Sequence, residues 1–260
     1  MEILTIGPLD GPVLLFGGPY SNRHALQALM AEARRRGVPP QNVICTGDVV
    51  AYCGDPAECV ALIRDWGCHV IAGNCEEQLA IGAEDCGCGF EEGSVCDALS
   101  AEWYAFSNRL IDTEARAWMA ALPRFATFEA RGLRYGVIHG GATETSRFLW
   151  PGDDKSAEIA ALEAILGPLD GVVAGHSGVG FVEPRWINAG VIGMPPHDGR
   201  AETEFCILDG AATLHRLSYD AAGARAAMSG RATPYAEALT TGWWPSEDVL
   251  PDRLKRLQPA

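Results

Sequence analysis

Apolar residues in this chain fall into two patterns: short unbroken runs that end on glycine, and longer stretches with helical spacing. Val13–Phe16 is an unbroken run followed by Gly17-Gly18-Pro19. It predicts a strand buried on both faces that feeds a loop. Ser21 is placed to cap a helix with apolar positions Ala25, Leu26, Leu29, Met30 and Ala33, and Gly37 with Pro39-Pro40 ends it. Val43–Thr46 runs into Gly47-Asp48, and His69–Ala72 runs into Gly73-Asn74. Between them Asp55-Pro56 starts a helix that ends near Trp66-Gly67. Residues 84–100 break the alternation with glycine, acid and cysteine, and read as a loop insertion followed by helical segments at 97–108 and 112–121. Phe125–Ala130 and Leu133–Ile138, joined by Arg131-Gly132, predict a β-hairpin that runs into His139-Gly140-Gly141. A helix at 155–166 precedes a strand, Val172–Ala174, that runs into Gly175-His176. Arg185–Asn188, Glu204–Leu208 and Thr213–Leu217 read as antiparallel strands with a turn at Asp209-Gly210, and two short helices follow. Strand and helix alternating over the first two-thirds predict an α/β fold in a single domain, 1–260, with an insertion at about 84–121 near the site.

Four of these strands deliver a side chain that can bind metal at the carboxyl end: Asp48, Asn74, His139 and His176. Sites in open α/β sheets are built at that end. Taken singly, a Gly-Asp after a strand is usually a turn, and a lone His is usually structural. Their shared placement argues for one site. Two imidazoles, a carboxylate and an amide oxygen suit Mn, Fe, Zn, Co or Ni in the divalent state, rather than a thiolate-selective metal.

Gly47-Asp48, Gly73-Asn74, Val137-Ile138-His139-Gly140 and Gly175-His176 resemble the second to fifth motifs of calcineurin-like metallophosphoesterases. Val43–Pro56 and Asn188–Pro195 are similar to segments of the small bacterial and archaeal phosphodiesterase branch, which includes diadenosine tetraphosphatase-like proteins. The resemblance implies a four-layer α-β-β-α sandwich with two mixed β-sheets. It also implies that Asp48, Asn74, His139 and His176 bind one metal of the usual pair. The family's first motif, Asp-x-His-Gly-Asn, meets Gly18-Pro19-Tyr20-Ser21-Asn22 here, and its final Gly-His-x-His meets Gly175-His176-Ser177-Gly178. Gly18, Tyr20 and Gly178 therefore stand where the other metal's ligands belong. Cys75 replaces the histidine that acts near the leaving group, and is expected with Asp48 to carry the catalytic roles. Tyr20, Asn22 and Arg147 are expected to contact substrate; for Tyr20 the alternative is filling the emptied metal pocket, and for Arg147 a solvated surface position. Tyr52 is expected to pack.

The chain has 260 residues, 48% of them hydrophobic, which is enough for one sizeable core. No apolar run reaches the roughly 18 residues a membrane span needs. No basic segment precedes Val13–Phe16, so a cytoplasmic protein with no membrane partner is expected. A formal net charge of −14 repels nucleic-acid polymers, whereas a small phosphorylated molecule can reach a bound metal. A homo-oligomer is compatible with all of this. Nine cysteines, an odd number without an export signal, argue against a disulfide framework. Cys45, Cys59, Cys68 and Cys206 read as core. Cys86 and Cys88, with Cys75 and Cys96 nearby, leave three readings: packed thiols, a second metal or iron–sulfur site, or a redox pair. His24, His197 and His215 have no nameable partner.

The expectation is a metal-dependent phosphoric-ester hydrolase using one retained divalent ion, on a phosphodiester, a nucleotide or a phosphomonoester. Two alternatives remain: a non-catalytic protein binding one metal or a phosphorylated ligand, and a cysteine-based metal or redox protein on the same fold.

Overall fold

The computed structural model describes residues 3–228 and 234–256. Along them run β1 (Ile3–Leu9), β2 (Val13–Phe16), α1 (Arg23–Arg36), β3 (Val43–Cys45), α2 (Pro56–Trp66), β4 (His69–Val70), α3 (Asn74–Ile81), α4 (Val95–Leu110) and α5 (Thr113–Ala120). There follow β5 (Phe125–Ala130), β6 (Leu133–Val137), α6 (Ser156–Leu166), β7 (Gly171–Ala174), β8 (Phe181–Glu183), β9 (Trp186–Asn188), β10 (Thr203–Asp209), β11 (Ala211–Leu217), α7 (Ala221–Ala227) and α8 (Pro234–Thr241).

The strands form two mixed sheets, ordered β11-β10-β2-β3-β4 and β1-β5-β6-β7-β9-β8. β2, β3 and β4 are parallel, with β10 antiparallel to β2. In the other sheet β6, β7 and β9 are parallel. The unbroken run of β2 has a simple cause: both of its faces are buried. Val13 and Leu15 point between the sheets, where they meet Phe128, Val137 and Val173. Leu14 and Phe16 point outward to Leu26 and Leu29 of α1 and to Val60 and Ile63 of α2. On the far side, Val172 and Ala174 pack against Ile159 and Leu162 of α6. The layers are therefore helix, sheet, sheet, helix.

Four features depart from the sequence reading. The cap of α1 is Asn22, whose side chain accepts from Ala25 N–H at 3.0 Å; Ser21 instead accepts from Ala51 N–H. The unanticipated β1 carries Gly7 and Pro8, which mask a strand pattern, but an edge strand with a bulge between Thr5 and Gly7 tolerates both. α3 begins at Asn74 itself, so this side chain sits on the first turn of a helix. β9 runs parallel to β7 and is antiparallel only to β8, because the short β8 returns the chain to the sheet. No described helix is long and apolar enough to cross a membrane.

Candidate metal centre

The loops after β3 and β4 come from one sheet, and those after β6 and β7 from the other. Their side chains meet where the sheet ends converge. Ligand-capable atoms of Asp48, His139 and His176 all lie within 4.8 Å of one another, and all three residues are buried. His139 Nε2 is 3.2 Å from Asp48 Oδ2, 3.1 Å from Asn74 Oδ1 and 3.1 Å from His176 Nδ1. His139 Nδ1 lies 2.6 Å from the Thr46 carbonyl, which can only accept, so Nδ1 carries a proton and Nε2 faces the cluster. Asn74 Nδ2 donates to Cys86 O at 2.9 Å, which turns its Oδ1 inward. Three lone-pair atoms thus crowd His139 Nε2, where a single proton can satisfy only part of the set. A divalent cation fits this arrangement.

The backbone allows this crowding only with glycine at two positions. A Cβ on Gly47, whose φ is +100°, would lie 2.5 Å from Gly73 N. A Cβ on Gly73 would lie 2.3 Å from Asp48 Oδ1. Glu76 fastens the two loops. Its carboxylate accepts from Asp48 N–H at 2.7 Å, Val49 N–H at 2.9 Å, Val50 N–H at 3.3 Å and Gly73 N–H at 3.0 Å. Sequence reasoning missed Glu76. The available signal was its spacing, three residues after the glycine that caps α3, which is the acidic half of a capping box.

Burial opposes the charge on Asp48, but the His139 and His176 rings hold its carboxyl below the usual carboxylate range. Burial lowers the His139 pKa, yet Asp48 outweighs it and the net shift is upward. Burial and the neighbouring His139 push His176 down to about 3, so that ring is neutral and ready to ligate. Burial, followed by Asp48, pushes the Cys75 thiol well up.

A family model for the calcineurin-like phosphoesterase superfamily domain matches residues 20–212. The chain belongs to that superfamily. It is 25% identical over 211 residues to an uncharacterized protein, MJ0912, of Methanocaldococcus jannaschii, covering 73% of this chain and 79% of that protein. The fold is similar to a crystal structure of a metallophosphoesterase from Sphaerobacter thermophilus, with a TM-score of 0.66, 21% identity, 90% of this chain and 100% of the other. It is also similar to the hypothetical protein PH1004 from Pyrococcus horikoshii, with a TM-score of 0.70, 16% identity, and 89% and 98% of the two chains.

In this chain aromatic rings lie against the positions that resemble the other metal's ligands. A Cβ on Gly18 would lie 2.3 Å from Tyr20 Cε1, so the Tyr20 ring occupies the space of any longer side chain there. A Cβ on Gly178 would lie 3.0 Å from Trp244 Cζ2. Trp244 is anchored by its indole N–H to Pro195 O at 2.6 Å, and by its backbone N–H to His197 Nδ1 at 2.8 Å. His197, read from sequence as ordinary, also meets Glu247 at 2.8 Å and so ties down the Trp244 segment. Burial, and then Asp48, push the Tyr20 phenol well above its ordinary value, so it stays protonated and is a poor ligand.

Tyr20 and Tyr52 share an edge-to-face contact with centroids 4.8 Å apart, and both line the cavity beside His176. Asn22 caps α1 and donates to Gly193 O at 3.1 Å, so its side chain is engaged inside the fold. Arg147 pairs with Glu158 at 2.9 Å, outside the residues that line the cavity. Cys86 and Cys88 are joined in a disulfide, which corrects the readings that treat them as thiols or metal ligands. Two residues apart and beside Asn74, they close a local loop rather than a framework. Among the described residues Cys45, Cys59, Cys68, Cys75, Cys96 and Cys206 are free thiols.

Proposed function

We propose that the chain is a metal-dependent phosphoric-ester hydrolase working with one divalent ion held by Asp48, Asn74, His139 and His176. The observation that carries this reading is the crowding of three lone-pair atoms around the buried His139 Nε2, in a superfamily of phosphoesterases. A divalent ion there supplies Lewis acidity. The chain's own residues do the rest. Asp48 contributes the anionic ligand, and Glu76 holds its loop in register with Gly73. Thr46 fixes the His139 tautomer, and Cys86 fixes the Asn74 amide. Cys75 keeps its proton and donates its backbone N–H to Asp48 Oδ1 at 3.3 Å. It does not line the cavity, so solvent is the better proton source for a leaving oxygen. Substrate is a small phosphorylated molecule.

The Tyr20 and Trp244 rings against Gly18 and Gly178 favour a second reading, a protein that binds a metal and a phosphorylated ligand without turnover. One experiment separates the two. Protein loaded with one equivalent of Mn(II) is assayed on bis(4-nitrophenyl) phosphate and 4-nitrophenyl phosphate. The first reading expects hydrolysis that Asp48→Asn lowers at least a hundredfold. Stoichiometric metal without turnover of either ester supports the second reading.

A further inference from the structure

Beside His176 lies a cavity of about 510 Å³, counting the solvent at its open mouth. Its aromatic walls are Tyr20, Tyr52, Phe90, Phe148, Tyr235 and Trp244. Among the described residues that line it, none is a lysine, arginine, aspartate or glutamate. Two of these walls, Tyr20 and Trp244, are the rings that lie against Gly18 and Gly178. Phe148 joins this wall to the candidate metal centre: its ring centroid is 4.4 Å from that of His176, and it stacks on Trp150 at 5.5 Å with an interplanar angle of 3°.

Resting on the hydrolase reading above, we propose that this cavity is a subsite for a flat, uncharged aryl or heteroaryl group carried on the phosphoryl centre. The ligand class is then a phosphoric ester with its anionic charge confined to one phosphoryl group at the metal, and with an aromatic substituent in the cavity. Charge decides against a polyphosphate chain. Each further phosphate would enter apolar walls without a cationic partner, and desolvation of an unpaired charge is costly. The one arginine on the neighbouring loop, Arg147, is already paired with the buried Glu158. The overall charge of −14 adds repulsion at long range. A neutral ring meets none of these costs, and gains burial and edge or offset contacts with the wall rings.

The test is calorimetric binding of phenylphosphonate, butylphosphonate and methylphosphonate to protein loaded with one equivalent of Mn(II). Phenylphosphonate is expected to bind at least about tenfold more tightly than methylphosphonate, equivalent to about 1.4 kcal/mol, and more tightly than butylphosphonate. Val249→Phe narrows the cavity from a wall residue that is none of the four candidate metal ligands. It should remove the phenyl advantage and leave methylphosphonate within twofold of wild type. Equal affinities for the three probes overturn the subsite. So does a phenyl advantage that persists in a Val249→Phe protein whose thermal unfolding matches wild type. If that variant does not fold, the three-probe series on wild type decides alone. Ester hydrolysis is measured in parallel. A phenyl preference without turnover removes the hydrolase reading and keeps the subsite. Turnover without a phenyl preference does the reverse.

Discussion

Asp48 and His176 both hold left-handed backbone, with φ of 56° and 63°. Such positions cost on the order of 1–3 kcal/mol each in a non-glycine residue. At Asp48 the surrounding fold sustains it, through the Glu76 carboxylate that takes the N–H of Asp48 and of the two residues after it. The return is a carboxylate aimed at His139. Two predictions belong to this scale. His139→Ala should abolish stoichiometric metal binding, and Tyr20→Phe should leave it at one ion per chain, both read by elemental analysis after dialysis. Tyr20 fills space as a neutral phenol, whereas His139 Nε2 stands at the centre of the ligand set.

The second residue-scale prediction concerns pH. Despite burial, Asp48 raises the His139 pKa, so a proton is held there more tightly than on a free imidazole, whose pKa is about 6.5. A cation must displace that proton. Metal affinity should therefore fall as pH drops, with proton release accompanying metal binding. His176, at about 3, contributes none. Calorimetry in buffers of different ionisation enthalpy counts the proton. Without metal the sign reverses. The raised His139 then adds stability that is full below the unfolded imidazole value and is lost as pH rises through the raised one, whereas the contribution of the lowered Asp48 is lost as pH falls through its own value.

At the scale of elements, α1 connects the core to the loop that carries Tyr20. Its start depends on Asn22, which accepts from Ala25 N–H and donates across the molecule to Gly193 O. Its end is marked by three successive arginines and by Gly37, with φ of 70° and its N–H on the Ala33 and Arg34 carbonyls. Asn22→Ala removes a cap worth ~1 kcal/mol and strips a partner from a buried carbonyl at a further ~1–3 kcal/mol. A loss of about 2–4 kcal/mol in urea unfolding is expected, with metal stoichiometry unchanged. A variant as stable as wild type that no longer binds phosphonate would place Asn22 on the ligand instead. The insertion is also an element with a task. The Cys86–Cys88 loop presents a carbonyl to Asn74, and Phe90 and Cys96 form part of the cavity wall.

For the whole molecule, the candidate metal centre joins two sheets whose facing surfaces pack through apolar side chains. Asp48 and Asn74 ride on one, His139 and His176 on the other. A ligand that binds only the folded chain stabilises it by mass action, ~2.7 kcal/mol at a hundred times its dissociation constant. Chelation should therefore lower the unfolding temperature by ~5–10 °C for a chain of this size, and stoichiometric Mn(II) should restore it. A melting curve indifferent to chelator would mean that the four side chains hold no tightly bound ion.

The sequence by itself determined the strands that carry the site and the order of its candidate ligands. These signals are local: a run such as Val13–Phe16 is unbroken because two neighbouring layers bury it, and Gly47 and Gly73 stand where only a missing Cβ allows the loops to meet. It also showed that Gly18 and Gly178 lack ligating side chains. The tertiary structure decided what replaced them. Trp244 is far from Gly178 along the chain and reaches it only because His197 and Pro195 anchor its segment. The parallel pairing of β9 with β7, and the paired state of Arg147, likewise depend on neighbours that no local pattern specifies. Cavity walls are assembled from distant segments, so the neutral, aromatic character of the space beside His176 was set by packing alone.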